Sequence, residues 1–404
     1  MQRRLRWTAL VLVAALGAAA CGDDSGNAAG DTTTTTGDAS GSGSADFELD
    51  EPLKIIGLWE IQGESSNANN ALEDAAQIAI EEINSAGGVG GRQIDYKRVS
   101  TNITDPTKTI AAVREALEEG PSILIGPAGA AGSIAAAPLA EQAGVPMLAL
   151  GQDDRLFNGA ESGNDHVFLM APSAAAQAEV GAQLAVEELG AEKVGIMYVN
   201  ADLGTSALPS LRKGIADAGA SVTEERNYAF DATDLTAQVL AMKGSDAVIN
   251  WGYPNPLGVQ LNQFIENGLD IPTIGAAPAA ITVNSGLAKG KAIEKLYAAT
   301  YCNPLDDQRP VAQTFVEKYR DRSGKDPDAV PAGAYDAIYV AVAAAEAAKS
   351  ADPAALTSAM AEVTTEGVCA KAYKADSRNL LHHEISAVSF ADGTPKTMKV
   401  YETK

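Results

Sequence analysis

The sequence has little positive charge, few aromatic residues and few histidines and cysteines. Lys and Arg number 30 against 53 Asp and Glu, and no Lys/Arg cluster occurs beyond the first six residues. The chain therefore has no basic patch that could bind the phosphate backbone, and nucleic acid is excluded as its main partner. Aromatic residues make up only 5% of the chain. Together with the abundant alanine, this favours helices packed on a sheet over an all-β sandwich.

Histidines are scarce, and the common catalytic and metal-binding motifs are missing. The histidines are His166, His382 and His383, and the sequence contains no H-x-x-x-H, C-x-x-C or G-x-S-x-G motif. Without these motifs, neighbouring residues cannot assemble a metal site or a nucleophile elbow. We therefore predict that the protein is not an enzyme and uses no metal or cofactor, with hydrolysis of a small amide as the least favoured alternative.

The first residues have the architecture of an export signal. Three arginines within the first six residues precede an apolar stretch over residues 9–20, which is too short to cross a bilayer. Cys21 follows directly, as in the bacterial lipobox, although Ala18 stands where a leucine is usual, and an ordinary signal peptidase could also cleave before Cys21. We predict that residues 1–20 are a signal peptide and that Cys21 carries a lipid. The lipid would anchor the exported protein on the outer face of the cytoplasmic membrane, and secretion without a lipid is the alternative.

The odd number of cysteines bears on the same question. The chain has three cysteines, and a leftover free thiol is unusual in an exported protein. If Cys21 carries the lipid, Cys302 and Cys369 remain as one possible disulfide, with two buried free thiols as the alternative.

A flexible linker is predicted after Cys21. Residues 22–46 contain no leucine, isoleucine, valine or aromatic side chain, so they cannot bury enough apolar surface to fold. We predict that residues 21–52 form a lipid-anchored linker, with a glycosylated stalk as the alternative, and that the folded sequence begins at Leu53.

Strands and amphipathic helices alternate from Leu53 onward. The buried strand LKIIGLW precedes a segment with apolar residues at helical spacing from Leu72 to Ile83, and Asp105-Pro106 has the form of a helix start. The same cycle restarts at Lys193 with VGIMYV. Such alternation predicts an α/β protein with two similar lobes, each a doubly wound, mainly parallel sheet.

A family pattern is carried by the segments INSAGGVGGRQIDY, TDPTKTIAAVREAL, ILIGPAGAAGS, GVPMLAL, Asp202-Leu203-Gly204, AYDAIYVAVAAAEAA and NLLHHEISAVSF. From about residue 53 to the C-terminus the chain resembles the type I periplasmic binding proteins, and more narrowly the branched-chain amino-acid-type components of ABC importers. The resemblance implies two Rossmann-like lobes joined by three crossovers, with a hinge that closes on a ligand. Lobe 1 would comprise residues 53–171 and 304–382, and lobe 2 residues 172–303 and 383–404. The third crossover would contain His382 and His383.

Ligands of open α/β sheets bind beyond the carboxyl ends of the strands. Four predicted loops follow the carboxyl ends of strands, over residues 59–65, 126–133, 151–154 and 251–255. The loop GPAGAAGS fits neither a dinucleotide motif nor a P-loop; it could hold a carboxylate on backbone N–H groups or simply allow close helix–sheet packing. For the aromatic residues the alternative is core packing, and for the adjacent aspartates a solvated loop. The predicted ligand contacts are Trp59, Glu60, Glu64, Ala130, Gly151, Asp153 and Asp154 from lobe 1 and Asp202, Trp251, Tyr253 and Ala277 from lobe 2.

The resemblance also bears on the ligand. Relatives that bind α-amino acids place an acid for the ammonium group where this chain has Ala276-Ala277, and their hydroxyl residues for the carboxylate fall on Ala130 and Gly151 here. These departures count against a leucine-like ligand, and acids of lobe 1 such as Asp153 could receive a cationic group instead.

The implied function is that of a monomeric, extracytoplasmic solute-binding protein. It would capture a small polar ligand, an amino acid or an amino-acid-like amide, by cleft closure and deliver it to ABC permease subunits. A sensory module that signals to a membrane receptor is the alternative.

Overall fold

The computed structural model describes residues 47–61, 66–103, 105–157 and 164–403. These residues belong to one compact unit. The predicted signal peptide, Cys21 and Glu64 lie outside the described residues. No helix in the described part of the chain is long and apolar enough to cross a membrane.

The first sheet is wholly parallel, with the strand order β2-β1-β3-β4-β5. Its elements, in chain order, are β1 (Lys54–Trp59), α1 (Ser66–Ser85), β2 (Asp95–Ser100), α2 (Pro106–Glu118), β3 (Ile123–Ile125), α3 (Ala130–Ala143), β4 (Met147–Ala149) and β5 (Val167–Leu169). Alternate residues of β1 enter different core clusters: Ile55 packs on one face of the sheet, and Ile56 on the other. Helices therefore cover both faces, which is the predicted doubly wound arrangement.

The second sheet has the order β14-β13-β10-β9-β8-β6-β7. Its elements are α4 (Ala174–Gln183), β6 (Lys193–Val199), α5 (Asp202–Asp217), β7 (Ser221–Tyr228), α6 (Thr236–Ala241), β8 (Ala247–Trp251), α7 (Pro254–Glu266), β9 (Thr273–Gly275), α8 (Ala279–Asn284) and β10 (Leu296–Thr300). The chain then returns to the first lobe with α9 (Pro310–Ser323), α10 (Ala329–Ala348), α11 (Pro353–Met360), β11 (Thr364–Thr365) and β12 (Tyr373–Lys374). The last strands, β13 (Glu384–Ser389) and β14 (Lys396–Glu402), join the second sheet in antiparallel fashion.

Three connections pass between the sheets, in the regions that the resemblance implied. The first follows β5 at residues 170–173, the second follows β10 at residues 301–309, and the third precedes β13. The first and third run side by side, because the N–H of Leu169 donates to Asn379 and the N–H of Leu381 donates to Leu169. The structure joins Cys302, in the second connection, to Cys369 by a disulfide with a Cα–Cα distance of 5.0 Å.

The start of the fold differs from the predicted linker boundary at residue 52. Leu49 is buried, its N–H donates to the carbonyl of Gly90 at 3.0 Å, and its own carbonyl accepts from Arg92 Nε at 3.0 Å. Folded structure therefore begins by residue 47. Only two hydrophobic residues, Phe47 and Leu49, mark this segment, and that is too few to show a periodicity.

Two helices begin earlier than their apolar pattern predicts. The pattern predicts starts at Ser133 and Gly258, whereas α3 begins at Ala130 and α7 at Pro254. Small residues and proline in the first turns conceal the period, although proline is well suited to the first turn of a helix. In contrast, α2 begins as predicted, with Asp105 accepting hydrogen bonds from the N–H groups of Thr107 and Lys108.

Candidate functional site

A cavity of about 860 Å³ lies between the carboxyl edges of the two sheets. The first lobe contributes loops after β2, β3, β4 and β5 together with the start of α10, and the second lobe contributes loops after β6 to β10. The walls are the segments that parallel sheets place at their ligand-binding edge. A solute held here would touch both lobes, so its binding is coupled to their relative position.

The cavity wall is mainly apolar. Its apolar lining includes Leu72, Ile103, Leu150, Met170, Leu203, Phe230, Val259, Ile281, Leu287 and Val330. Among the described residues that line it, Asp231 is the only one with a charged side chain, and none is Lys, Arg or His. Hydrogen-bonding side chains are spaced around this surface, for example Gln152, Tyr253 and Asn262. The wall therefore fits a solute with an apolar body and a small number of polar groups.

An aromatic pair forms part of the second lobe's wall. The rings of Phe230 and Tyr253 meet edge to face, with their centroids 4.7 Å apart. Phe230 follows β7 and Tyr253 immediately precedes α7, so the two loops support each other. Burial, assisted by the charge of Asp202, raises the pKa of Tyr253 to about 12. Its hydroxyl is therefore neutral near pH 7 and can both donate and accept a hydrogen bond.

Backbone geometry at the first lobe's wall depends on small residues. Gly129 and Ala130 line the cavity at the start of α3, where no side chain caps the helix. A Cβ on Gly151 would lie 2.5 Å from the carbonyl oxygen of Gly129, so glycine is required for the loop after β4 to pass this close. The hydroxyl of Ser133 donates to the carbonyl of Pro127 at 2.9 Å. The first N–H groups of α3 are thus presented at the wall with a favourable dipole for a polar or anionic group.

The predicted acidic contacts of the first lobe bind the chain's own groups. Glu60 is buried, and its Oε2 accepts from the N–H of Ile103 at 2.8 Å. Asp153 is 2% exposed and binds Arg155 through two hydrogen bonds of 2.8 and 2.7 Å. Asp154 accepts from the N–H groups of Ala174 and Ala175 at the start of α4, and burial raises its pKa. None of these three acids lines the cavity.

The other predicted contacts divide between the cavity and the lobe cores. Ala130 and Tyr253 line the cavity. Trp59 and Trp251 are buried in the cores instead: the indole N–H of Trp59 donates to Tyr96 at 2.8 Å, and the ring of Trp251 packs where Gly181 leaves space for it. Gly151 and Ala277 are buried behind the wall, and Glu64 lies outside the described residues. The tryptophans face inward because the last residue of each strand still belongs to a sheet covered on both faces.

An ion pair joins the two lobes beside the cavity. Nη2 of Arg155, in the loop between β4 and β5, lies 3.3 Å from Oδ1 of Asp202 at the start of α5. The buried Asp153 fixes the same guanidinium, so the arginine is already oriented towards the opposite lobe. The cation that binds Asp153 and Asp202 is thus Arg155, one residue beyond the predicted loop over residues 151–154.

We expect Asp202→Asn to weaken solute binding about two- to fivefold, because an exposed ion pair contributes less than about 1 kcal/mol to the lobe contact. Calorimetry at low and high salt measures the effect, which should shrink as salt screens the pair. Asp217→Asn, at the far end of the same helix, is the matched control. Equal effects of both variants would show that net charge, and not the lobe contact, is responsible.

Several wall residues were not among the predicted contacts. Phe230, Asp231 and Thr233 line the cavity just after β7, the edge strand of the second sheet. This loop also follows the carboxyl end of a parallel strand, so the reasoning that identified the other loops applies to it as well. Tyr301 and Met170 were harder to find, because they lie in the connections between the sheets.

Comparisons with known proteins give a consistent result. A family model described as "Periplasmic binding protein" matches residues 52–394. Leu/Ile/Val-binding protein homolog 8 of Brucella abortus (strain 2308) is 25% identical over 295 residues, which are 68% of this chain and 71% of the relative.

Solved structures show the same fold. The branched-chain amino acid transporter substrate binding protein LivJ of Streptococcus pneumoniae, in complex with isoleucine, has a TM-score of 0.78 at 24% identity and covers 88% of this chain and 100% of its own. A solute binding protein from R. palustris, in complex with benzoate, also has a TM-score of 0.78, at 16% identity, and covers 87% of this chain and 97% of its own.

Proposed function

Because the chain belongs to the periplasmic binding protein family, we propose that it is an extracytoplasmic solute-binding protein that delivers its solute to an ABC importer. Its fold is that of the type I periplasmic binding proteins, and its relatives belong to the branched-chain amino-acid type of that family. The observation that carries the proposal is the cavity of about 860 Å³ lined by both lobes. Capture of a solute there would draw the lobes together, and a permease could recognise the closed form.

The cavity chemistry supports an amino acid or an amino-acid-like solute with a substantial apolar part. Apolar side chains from both lobes would cover the body of the solute, and the N–H groups at the start of α3 could receive a carboxylate or carbonyl. The ligands named for the two structural neighbours, isoleucine and benzoate, share an apolar body. A wholly polar solute would leave the apolar side chains of this wall without a complementary surface.

A thermal-shift screen of branched-chain and aromatic amino acids, their amides, aromatic acids and arylalkyl amines tests the proposal. A ligand at 100 times its dissociation constant stabilises the protein by about 2.7 kcal/mol, which a melting curve resolves. Ala232→Trp, which fills part of the cavity, should abolish the response. Ala229→Trp, three residues earlier and outside the lining, should keep it. Equal responses of the two variants would place binding elsewhere.

Delivery to an importer is tested in cells. Deletion of the gene should abolish uptake of the solute identified in the screen, and the wild-type chain should restore it. Uptake that continues unchanged, with loss of a transcriptional response to the same solute, would favour the sensory alternative.

We also propose that a lipid on Cys21 holds the protein at the outer face of the membrane. The basic start, the short apolar stretch and the cysteine directly after it support this placement. Mass spectrometry of the mature N-terminus is expected to find a lipidated Cys21, and Cys21→Ser should release the protein into the medium. An unmodified Cys21 on a secreted protein would contradict the anchor.

A further inference from the structure

Asp231 is an acid of the cavity wall whose carboxylate has no partner among the residues that the structure describes. Within the described part of the chain, no hydrogen bond or ion pair reaches it, although it lines the wall. Asp234, on the same loop, accepts from the N–H and hydroxyl of Thr236 and from Gln263. The free carboxylate on an otherwise uncharged apolar wall is therefore available to a solute.

The loop that carries Asp231 is held in place. The N–H of Ala232 donates to the carbonyl of Ala229 at 3.1 Å, and the N–H of Leu235 donates to Oε1 of Gln263 at 2.9 Å. Phe230, immediately before Asp231, is fixed by its contact with Tyr253. The backbone at Asp231 is thus set before a solute arrives, which lowers the entropy cost of using its carboxylate.

The surroundings of Asp231 favour a cation. Aromatic ring faces attract ammonium groups, and the rings of Phe230 and Tyr253 line the same cavity as Asp231. When the lobes close, an unpaired carboxylate loses hydration, and a cationic group on the solute offsets that cost. No Lys or Arg among the described lining residues competes for it. The N–H groups at the start of α3 lie in the opposite lobe's wall and would meet a different part of the solute.

We infer that the solute carries a protonated amine on an apolar body and that Asp231, in the cavity that Phe230 and Tyr253 also line, selects for it. The inference rests on the proposed solute-binding function and specifies the charge of the solute. Asp231 follows β7, whereas Ala276 and Ala277, which follow β9, carry no charge. Charge recognition by the second lobe therefore comes from the loop after β7.

The test compares three probes that share one apolar body: 4-phenylbutylamine, 4-phenylbutan-1-ol and 4-phenylbutyrate. Calorimetry on the full-length mature protein should show the amine binding most tightly and weakening as salt is raised. Asp231→Asn should lower affinity for the amine about five- to tenfold, since the carboxylate is partly solvated until the lobes close. Affinity for the alcohol should stay within about twofold, because a neutral group loses no ion pair.

Two further variants control the comparison. Asp231→Glu should retain most of the amine affinity, whereas Glu266→Gln removes one charge from the far end of α7, outside the cavity lining, and should change nothing. Tightest binding of the carboxylate, failure of the amine to bind, or equal losses for amine and alcohol in Asp231→Asn would each overturn the inference. If the alcohol or the carboxylate binds and Ala232→Trp prevents it, the solute-binding function stands and only the charge assignment falls.

Discussion

Replacement of Asp336 by alanine is expected to lower the free energy of unfolding by about 3 to 5 kcal/mol, the range for removing one partner from a buried charged network. Asp336 lies on α10 and is fully buried. Its carboxylate accepts hydrogen bonds from the N–H groups of Val368 and Cys369, at 2.7 and 2.8 Å, and from the hydroxyl of Tyr373 at 2.8 Å. Alanine would leave three buried donors without an acceptor.

The segment held by Asp336 also fixes the connections between the lobes. The guanidinium of Arg309 donates to carbonyls of the same loop, those of Gly367, Val368 and Ala370. The carboxylate of Asp336 thus binds N–H groups of this loop, and the guanidinium of Arg309 binds its C=O groups. Cys369 in this loop carries the disulfide to Cys302. Loss of Asp336 should therefore loosen the second and third connections as well as lower stability. Urea unfolding followed by circular dichroism measures the stability change.

Asp336→Asn separates the charge from the shape of the side chain. Burial raises the pKa of Asp336 to about 6, whereas an unfolded aspartate titrates near 3.9. The folded chain therefore holds this proton more tightly, and the stability contributed by the raised pKa is complete below about pH 4 and is lost as the pH rises through about 6. The stability advantage of wild type over Asp336→Asn should shrink between about pH 4 and pH 7. An advantage that grows over this window would contradict the assignment.

The sequence predicts the architecture well because each sheet signal is local. Asp105 and Pro106 mark the start of α2 by chemistry that acts within three residues, and the alternation of strands with helices indicates parallel sheets. The helix starts at Ala130 and Pro254 escape the same reasoning, since their first turns carry no apolar period. Both starts bring helix N-termini to the cavity wall.

The candidate site is harder to predict, because the role of a carboxylate depends on which residues of the chain bind it. Asp153 and Asp231 look alike in the sequence, as acids just after a strand. In the structure, the guanidinium of Arg155 binds Asp153, whose side chain is 2% exposed, whereas no described residue binds the carboxylate of Asp231 at the wall. The difference arises from the path of each loop and from the contact of Arg155 with Asp202 across the lobes. No local pattern carries that information.

The two tryptophans show that the position of a residue at a strand end does not predict which way its side chain faces. Sequence position puts Trp59 and Trp251 at the ends of strands β1 and β8, and the structure agrees. Side chains alternate between the two faces of a strand, however, and both faces of these sheets are covered by helices. Trp251 therefore packs against α4, while Tyr253, two residues later and beyond the strand, is free to turn towards the cavity.

Tyr253→Ala is expected to weaken binding of the tightest solute from the screen by about 1 to 3 kcal/mol, the usual loss when a large buried aromatic contact is truncated. The ring lines the cavity and supports Phe230 at a centroid distance of 4.7 Å. The variant therefore removes one wall surface and releases a second from its fixed position. Calorimetry on the purified chain measures the change in dissociation constant.

Tyr253→Phe distinguishes the ring from its hydroxyl. If apolar contact dominates, Tyr253→Phe should bind within about twofold of wild type, because it keeps the ring and its packing on Phe230. A loss in Tyr253→Phe as large as in Tyr253→Ala would assign the effect to a hydrogen bond from the hydroxyl. Wild-type affinity in Tyr253→Ala, with unfolding stability unchanged, would mean that the solute does not touch this wall. The solute would then have to lie towards the start of α3, and the contribution of the second lobe to recognition would fall to the loops after β6 and β9.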